Sequence, residues 1–432
     1  MKYHLKSFLK TKIKQFICTK KPNFSCGSKA SLDVKKNQAF LGIEETIQEV
    51  KALDYKHTNG SKTRLNLVVP TLTKQHVFGG LSTAFDFFKQ LSGTFSDDID
   101  KRILVMDTDL HDIHDAFKDY SIVLLGEEST KTNQIVCCKN RSQTKKLPVT
   151  QQDIFIVTSW WTAYVIQDLL RSYQSKRLQL IYLIQDYEPG FYAWSSRYAL
   201  ADSTYHTSLP TIAVFNTYDL YDNFKLHNYE FFKEFVFHPK MNPNLKKYLP
   251  QINTVAKTKK IIIYGRPSTD RNAFLNIVET LRLWVKSYGS AFQWEIVSLG
   301  EKHPAVYLND TISIKSEGKV SLQEYAEHLL TSSIGISLMV SPHPSYPPLE
   351  MAYFGVKTIT NNYQNKDVST YHENITSFTD YSPINLAHNL QNLCESFEQN
   401  SLSQGKPLNL TFIDDTPTFP FLKELKNQLT EI

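Results

Sequence analysis

Short apolar, β-branched runs alternate with longer stretches whose apolar residues recur at helical spacing, from about residue 64 almost to the end of the chain. The first run, Arg64 to Val69 (RLNLVV), is closed by Pro70. A loop TLTKQHVFGG then leads into LSTAFDFFKQL, which places Leu81, Ala84, Phe85, Phe88 and Leu91 on one helical face. Further strands are predicted at Ile103 to Met106, Ile122 to Leu125, Ile154 to Thr158, Leu178 to Ile184, Ile212 to Phe215 and Phe235 to Phe237. A helix begins after Thr158 or Ser159. Between Asp107 and Thr150 the pattern is blurred, and KNRSQTKKLPVTQQ reads as a connection. FHPKMNPNLKKYLPQ, rich in Pro, Asn and Lys, reads as an interdomain linker.

A second alternation begins at Lys260. Ile261 to Gly265 is a strand, followed by a loop and a long helix with Phe274, Ile277, Val278, Leu281 and Val285 inward. Strands FQWEIVSLG and TISIK and helix SLQEYAEHLLTSS lead to a buried strand from Ile334 to Val340. A Pro-rich turn, a short helix from Leu349 to Phe354 ended by Gly355, and a strand from Val356 to Thr360 complete that unit. Ile375 to Phe378, a helix from Pro383 to Phe397, and an amphipathic FLKELKNQL that can cross back to the first domain close the chain. The pattern predicts an α/β protein with two Rossmann-like domains facing each other across a cleft. The predicted parts are an extension at 1–60, a first domain at 61–250, a second at 256–410 and a C-terminal helix at 411–432. At 432 residues the chain exceeds what one core usually fills. A further helical stretch is expected around Ile43 to Leu53.

Composition excludes disorder as the default, since 41% of residues are hydrophobic and 21% charged. The five cysteines (Cys18, Cys26, Cys137, Cys138 and Cys394) have no paired metal spacing and read as reduced thiols of a cytosolic protein. The net charge of +5 is unevenly placed, because Lys2, Lys6, Lys10, Lys12, Lys14, Lys20 and Lys21 all precede the first acidic residue, Asp33. Interleaved with Leu5, Phe8, Leu9, Ile13, Phe16 and Ile17, they fit either a basic amphipathic helix at the inner face of a membrane or a solvated terminal helix. No apolar run there can span a bilayer or serve as a secretory leader. Nucleic acid is not an expected partner.

Candidate chemistry gathers where strands hand over to helices, because ligands of parallel sheets sit outside the carboxyl ends of the strands. The turn from Ser341 to Glu350 carries Ser341, His343 and Glu350 beside main-chain donors, a combination suited to a phosphorylated sugar. His343, between two prolines, is expected at the turn surface in a structural or solvated role. Arg266 and Arg271 in GRPSTDR and Lys319 in SEGKVS each follow a strand and precede a helix, and together they suit a diphosphate. Arg271 has the alternative of pairing with Asp270. Glu350 either complements its helix or accepts hydrogen bonds from nucleotide ribose hydroxyls. Gly79 and Gly80 either let a ligand approach the backbone or merely turn the chain. Asp186, and after it Glu188, are candidates to orient or deprotonate an acceptor hydroxyl, with a helix-capping or loop-bracing role beside Tyr187 and Pro189 as the alternative for Asp186. No metal-ligand pattern, P-loop or nucleophile elbow is present, and the glycine fingerprint of a nicotinamide enzyme is absent. Neither a metal nor a cofactor is therefore expected.

GRPSTDR, EGKVSLQEYAEHL and PPLEMAYFGVKTIT resemble the C-terminal half of GT-B glycosyltransferases of the large retaining family that includes sucrose, glycogen and lipopolysaccharide enzymes. VVPTLTKQHVFGGLSTAF and IQDYEPGFYAWSSRYALA, with YGRPSTDRNAF and VSPHPSYPPLEMA, resemble more particularly the bacterial rhamnosyltransferases of rhamnan and surface-layer glycan assembly, which use dTDP-β-L-rhamnose. The resemblance implies a diphosphate role for Arg266 and Arg271, a ribose role for Glu350, and a place near the donor sugar or acceptor for Gly79 and Gly80. It also implies retention at the anomeric carbon, no metal requirement, and a growing glycan, lipid-linked or free, as acceptor. One departure stands out: the wider family has a second glutamate eight residues before the ribose-binding one, where this chain has Pro342. Ser341, His343 or main chain must then serve the donor sugar. A catalytically silent glycan- or nucleotide-sugar-binding protein on the same fold is the alternative. Arg266 and Glu350, both retained, argue against it.

Overall fold

Two parallel sheets carry the apolar runs. The computed structural model describes residues 47–76, 79–95, 99–142, 144–174, 180–401 and 405–430. The chain divides into two units, Met1–Ile47 and Gln48–Ile432, and both sheets belong to the second. The Lys-rich stretch with its membrane reading, together with Cys18 and Cys26, lies outside the described residues. Cys137, Cys138 and Cys394 are free thiols.

The first half contains β1 (Tyr55–His57), β2 (Arg64–Val69), α1 (Gly79–Thr94), β3 (Asp100–Val105), β4 (Ser121–Val123), β5 (Asn133–Cys137), β6 (Leu147–Val149) and β7 (Asp153–Val157). It continues with α2 (Trp160–Tyr173), β8 (Leu180–Ile184), α3 (Ser196–Ser203), β9 (Thr211–Asn216), α4 (Tyr218–Leu226), β10 (Lys233–Phe237) and α5 (Pro243–Lys246). Eight strands pair in the order β10-β9-β8-β7-β2-β3-β5-β4, all parallel. β7, β8 and β9 are buried at every position, as strands covered by helices on both faces must be. One core lies on each face of this sheet.

The second half contains β11 (Thr258–Gly265), α6 (Phe274–Ser287), β12 (Glu295–Gly300), β13 (Val306–Tyr307), β14 (Ser313–Gly318), α7 (Leu322–Thr331) and β15 (Ser332–Ile336). α8 (Pro347–Tyr353), β16 (Lys357–Asn361), β17 (Ile375–Phe378), α9 (Pro383–Gln399) and α10 (Leu422–Thr430) follow. The sheet runs β13-β14-β12-β11-β15-β16-β17, with only the edge pair β13 and β14 antiparallel among described strands. The winding direction reverses between β2 and β7 in the first sheet and between β11 and β15 in the second. Such reversals open a crevice at the strands' carboxyl ends, where a ligand can enter.

Three segments differ from the sequence pattern for identifiable reasons. No α-helix covers the described part of Ile43 to Leu53: a 3-10 turn spans Gln48–Val50 and Leu53 is buried. The buried Arg141 guanidinium donates to the carbonyls of Gln48, Glu49 and Lys51, which ties this short turn to the first half. β1 also pairs with β6, so residues 55–57 are joined to the first half. In the blurred stretch the strand expected at Ile122 to Leu125 is present as β4, and β5 and β6 add to it as short strands with little periodicity to display. The linker stretch is firmly packed: Met241 and Leu245 are buried in a core of the second half, and the Met241 amide donates to the Phe412 carbonyl at 2.8 Å. The chain then returns to the first half, where Phe419, Leu422 and Leu425 pack with the α1 residues Phe87 and Phe88.

Gly265 ends β11 immediately before Arg266, and a Cβ there would lie 2.0 Å from Ser298 Oγ and 3.0 Å from the Phe274 ring. Gly265→Ala should therefore lower stability by about 1–3 kcal/mol, read as an earlier urea midpoint. An unchanged midpoint would mean that Ser298 and Phe274 give way at no cost.

Candidate functional site

At the reversal of the second sheet, the loops after β11 and β15 are sewn together. The Val340 amide donates to the Arg271 carbonyl at 2.7 Å, and Asn272 Nδ2 donates to the Leu338 carbonyl at 3.2 Å. Arg271 is thereby fixed beside the Ser341 turn. Within that turn the His343 amide donates to Ser341 Oγ at 3.1 Å, and the Ser345 amide donates to His343 Nδ1 at 3.0 Å. Ser345 has a φ of 69°, a left-handed conformation that lets the chain double back here.

From the first sheet, β8 delivers Gln185, Asp186, Tyr187 and Glu188 to the same place. Asp186 Oδ1 accepts hydrogen bonds from its neighbour's amide, at 2.9 Å, and from Ser341 Oγ. Its other oxygen lies 3.5 Å from Arg271 Nε, in an ion pair whose side chains are 13% and 23% exposed. The Arg271 guanidinium also stacks over the Phe191 ring, 4.1 Å from its centre. Arg271 therefore turns to Asp186 and not to Asp270. Glu188 points elsewhere: its carboxylate accepts from the amide of Trp160, the first residue of α2. Loss of solvent pushes the Glu188 carboxyl up to about 8. Glu188, for which no such role was expected, is thus the carboxyl at a helix start, while Asp186 reaches across to the second sheet.

His343 is buried and only 6% exposed, in contrast to the surface position expected from its flanking prolines. The Tyr346 ring lies 5.9 Å from that of His343, and Asn216 Nδ2, at the end of β9, donates to the Tyr346 hydroxyl at 3.3 Å. Burial pushes the His343 imidazole down to about 4, so it is neutral at pH 7. Because Nδ1 accepts a hydrogen bond, the neutral ring carries its hydrogen on Nε2, which has no hydrogen-bond partner among the described residues. Gln185 is in a similar state: Nε2 donates to the Gly80 carbonyl at 2.9 Å, and the buried Oε1 lacks a partner among the described residues. Gly80 leaves room for that amide, since a Cβ would approach Oε1 to 3.2 Å. Gly79 and Gly80 form the exposed first residues of α1.

The remaining candidates lie near other groups of the two halves. Arg266 follows β11 within electrostatic reach of Glu301. Lys319 Nζ donates across to the Gln75 carbonyl of the first half at 3.4 Å. Glu350 accepts from the Tyr325 hydroxyl at 2.9 Å, and burial pushes its carboxyl up to about 7. Lys366 is part of the site but was not legible from the sequence pattern. It is 1% exposed, donates to the Met339 carbonyl at 2.6 Å, and is pulled down to about 7 by burial against the attraction of Asp186 and Asp219. Its signal in the sequence is weak, a single lysine after a strand in NNYQNK. Beside it Asn365 donates to the Asp219 carbonyl and accepts from Asn223, joining the halves again. Among the described residues no group of three or more His, Cys, Asp or Glu side chains is placed to hold a metal ion. No described helix is long and apolar enough to cross a membrane.

The arrangement offers cations, a carboxylate and neutral hydrogen-bonding groups around one crevice, which suits a ligand that is part phosphate and part polyol. Known proteins share its architecture. The model of the WsaF N-terminal domain matches residues 64–218 and that of the WsaF C-terminal domain residues 259–391. The O-antigen biosynthesis protein RfbC of Myxococcus xanthus is 31% identical over 232 residues, a match that spans 51% of this chain and only 16% of that protein. Among solved structures, apo OtsA aligns with a TM-score of 0.52 at 8% identity, over 86% of this chain and 100% of its own. Sucrose-phosphate synthase from Thermosynechococcus elongatus aligns at 0.49 and 11%, over 78% and 90%. The likeness to OtsA concerns the fold, which is GT-B.

The raised Glu188 carboxyl has a consequence for stability. Between its ordinary value of 4.5 and about 8, the folded chain holds a proton that the unfolded chain has released, so this group's contribution to stability falls as pH rises through that window. Glu188→Gln should flatten the decline measured by urea denaturation between pH 5 and 8. Parallel profiles for the two proteins would refute the burial of this carboxyl.

Proposed function

We propose that this chain, which belongs to the WsaF family of GT-B glycosyltransferases, moves a deoxyhexose from a nucleotide diphosphate donor to a hydroxyl of a growing bacterial surface glycan. The donor in this reading is dTDP-β-L-rhamnose, transfer proceeds with retention, and no metal is required. The sugar rests on the resemblance of the QDYEPGFY and YGRPSTDRN blocks to rhamnosyltransferases. The printed role of the Myxococcus relative, O-antigen biosynthesis, agrees with a surface glycan as product. The reading carries with it a cytoplasmic site of action and an acceptor that is lipid-linked or free.

One observation carries the proposal: Arg271 and Ser341 of the second sheet converge on Asp186 of the first, beside buried His343 Nε2 and Gln185 Oε1 groups that lack partners among the described residues. Unpaired buried polar atoms are costly, and a polyol ligand would satisfy them. In the reaction an acceptor oxygen bonds to the anomeric carbon as the bond from that carbon to the phosphate oxygen breaks. The diphosphate leaves with the bonding electrons, and the acceptor's proton departs toward Asp186 or a phosphate oxygen. Charge develops on the leaving phosphate, so Arg266, Arg271 and Lys319 would bind it most strongly in the transition state. Glu350 would hold the deoxyribose, and neutral His343 would donate from Nε2 to the sugar or a phosphate oxygen. Ser341, Gly79 and Gly80 would border the transferred sugar and the acceptor.

Mass-detected transfer from dTDP-β-L-rhamnose tests the reading and separates an enzyme from a silent binding protein. Arg271→Ala should lower kcat by roughly thirty- to a thousandfold, equivalent to about 2–4 kcal/mol of barrier. Full turnover by that variant, or no transfer by the wild-type chain from any dTDP, UDP or GDP sugar, would overturn it. Chelator should leave the wild-type rate unchanged.

A further inference from the structure

The corner after Asp186 presents aromatic surface that the reaction at the cleft does not use. Trp194, just before α3, is 89% exposed, the most exposed large apolar side chain among the described residues. It is nonetheless held in place. Ser195 caps α3 by accepting the Tyr198 amide at 3.2 Å, and the Trp194 and Tyr198 rings lie 4.8 Å apart with their planes tilted by 32°. A residue preceding a helix cap can pack down merely to fix the chain's entry. Trp194 does not fit that role, since nearly all of its surface remains in water.

The pair is tied to the site. The Tyr198 hydroxyl lies 3.4 Å from that of Tyr187, the residue after Asp186, and Tyr187 in turn lies 3.1 Å from Tyr229. From the second sheet, Tyr363 comes within electrostatic reach of both Tyr198 and Asp186. The aromatic pair therefore stands at the mouth of the cleft, on the first-sheet side. The neighbouring Arg197 is already engaged, because it pairs with Glu49 at 2.9 Å. A rigid, uncharged aromatic surface next to a polar cleft matches a neutral saccharide, whose C–H faces stack on rings while its hydroxyls stay in water.

We propose that Trp194 and Tyr198 form a distal acceptor subsite, stacking on a sugar ring of the acceptor chain at one or more residues' distance from the hydroxyl held at Asp186. This rests on the reading of Asp186 as the reacting centre, and it adds that the acceptor is an oligosaccharide gripped along its length. The probe is an α-linked L-rhamnose tetrasaccharide, titrated into the full chain without donor and followed by saturation-transfer NMR. Trp194→Ala should weaken binding at least tenfold, while Trp194→Phe, which keeps a ring, should recover most of it. A melting temperature within a degree or so of wild type would show that the exposed position leaves the fold intact. Equal affinity for wild type and Trp194→Ala, or no binding to wild type, would overturn the subsite. If Trp194-dependent binding appeared but the wild-type chain transferred no sugar, the subsite would stand and the reading of Asp186 would fall.

Discussion

The two sheets meet on the carboxylate of Asp186. It is 13% exposed and draws a hydroxyl and a guanidinium from the second sheet to an anion presented by the first. A charge so far removed from water is tolerable only with such partners, and each partner is in turn committed to one orientation. Arg271 gains a second constraint from the Phe191 ring below it. The geometry of the cleft follows: the loop after β11, the loop after β15 and the corner after β8 are held as one assembly.

That assembly is only partly satisfied. His343 Nε2 and Gln185 Oε1 are buried without hydrogen-bond partners among the described residues, and Lys366 is held near Asp186 and Asp219 in a setting that weakens its charge. Folding tolerates such groups where a ligand completes them. In the proposed reading, the polar atoms that reduce stability in the free chain are those that recognise the donor. Glu188, two residues from Asp186, shows the contrast, since its carboxylate is satisfied by the α2 amide and serves the scaffold.

Much of the architecture was legible in the sequence, because strands buried on both faces leave continuous apolar runs such as LIYLI and IIIYG. The glycine, proline and arginine signals that follow those runs located the loops at the carboxyl ends. Short strands such as Leu147–Val149 left too few residues for a period to appear. The site was legible as a list of loops, not as contacts. Ser341 and Asp186 are separated by 155 positions, and nothing local to either announces the other. The same holds for His343, whose prolines signal a surface turn while the structure buries it beside Tyr346, within electrostatic reach of Asp186. Lys366 was invisible for this reason too, since its meaning depends on Asp186 and Asp219 approaching from the first sheet.

The most direct measurement is a crystal structure of the chain with dTDP. The account requires the pyrophosphate within hydrogen-bond distance of the Arg266 and Arg271 guanidinium groups and the deoxyribose against Glu350, in the cleft between the sheets. Nucleotide bound away from that cleft, or bound in it with both arginines turned aside, would contradict the account.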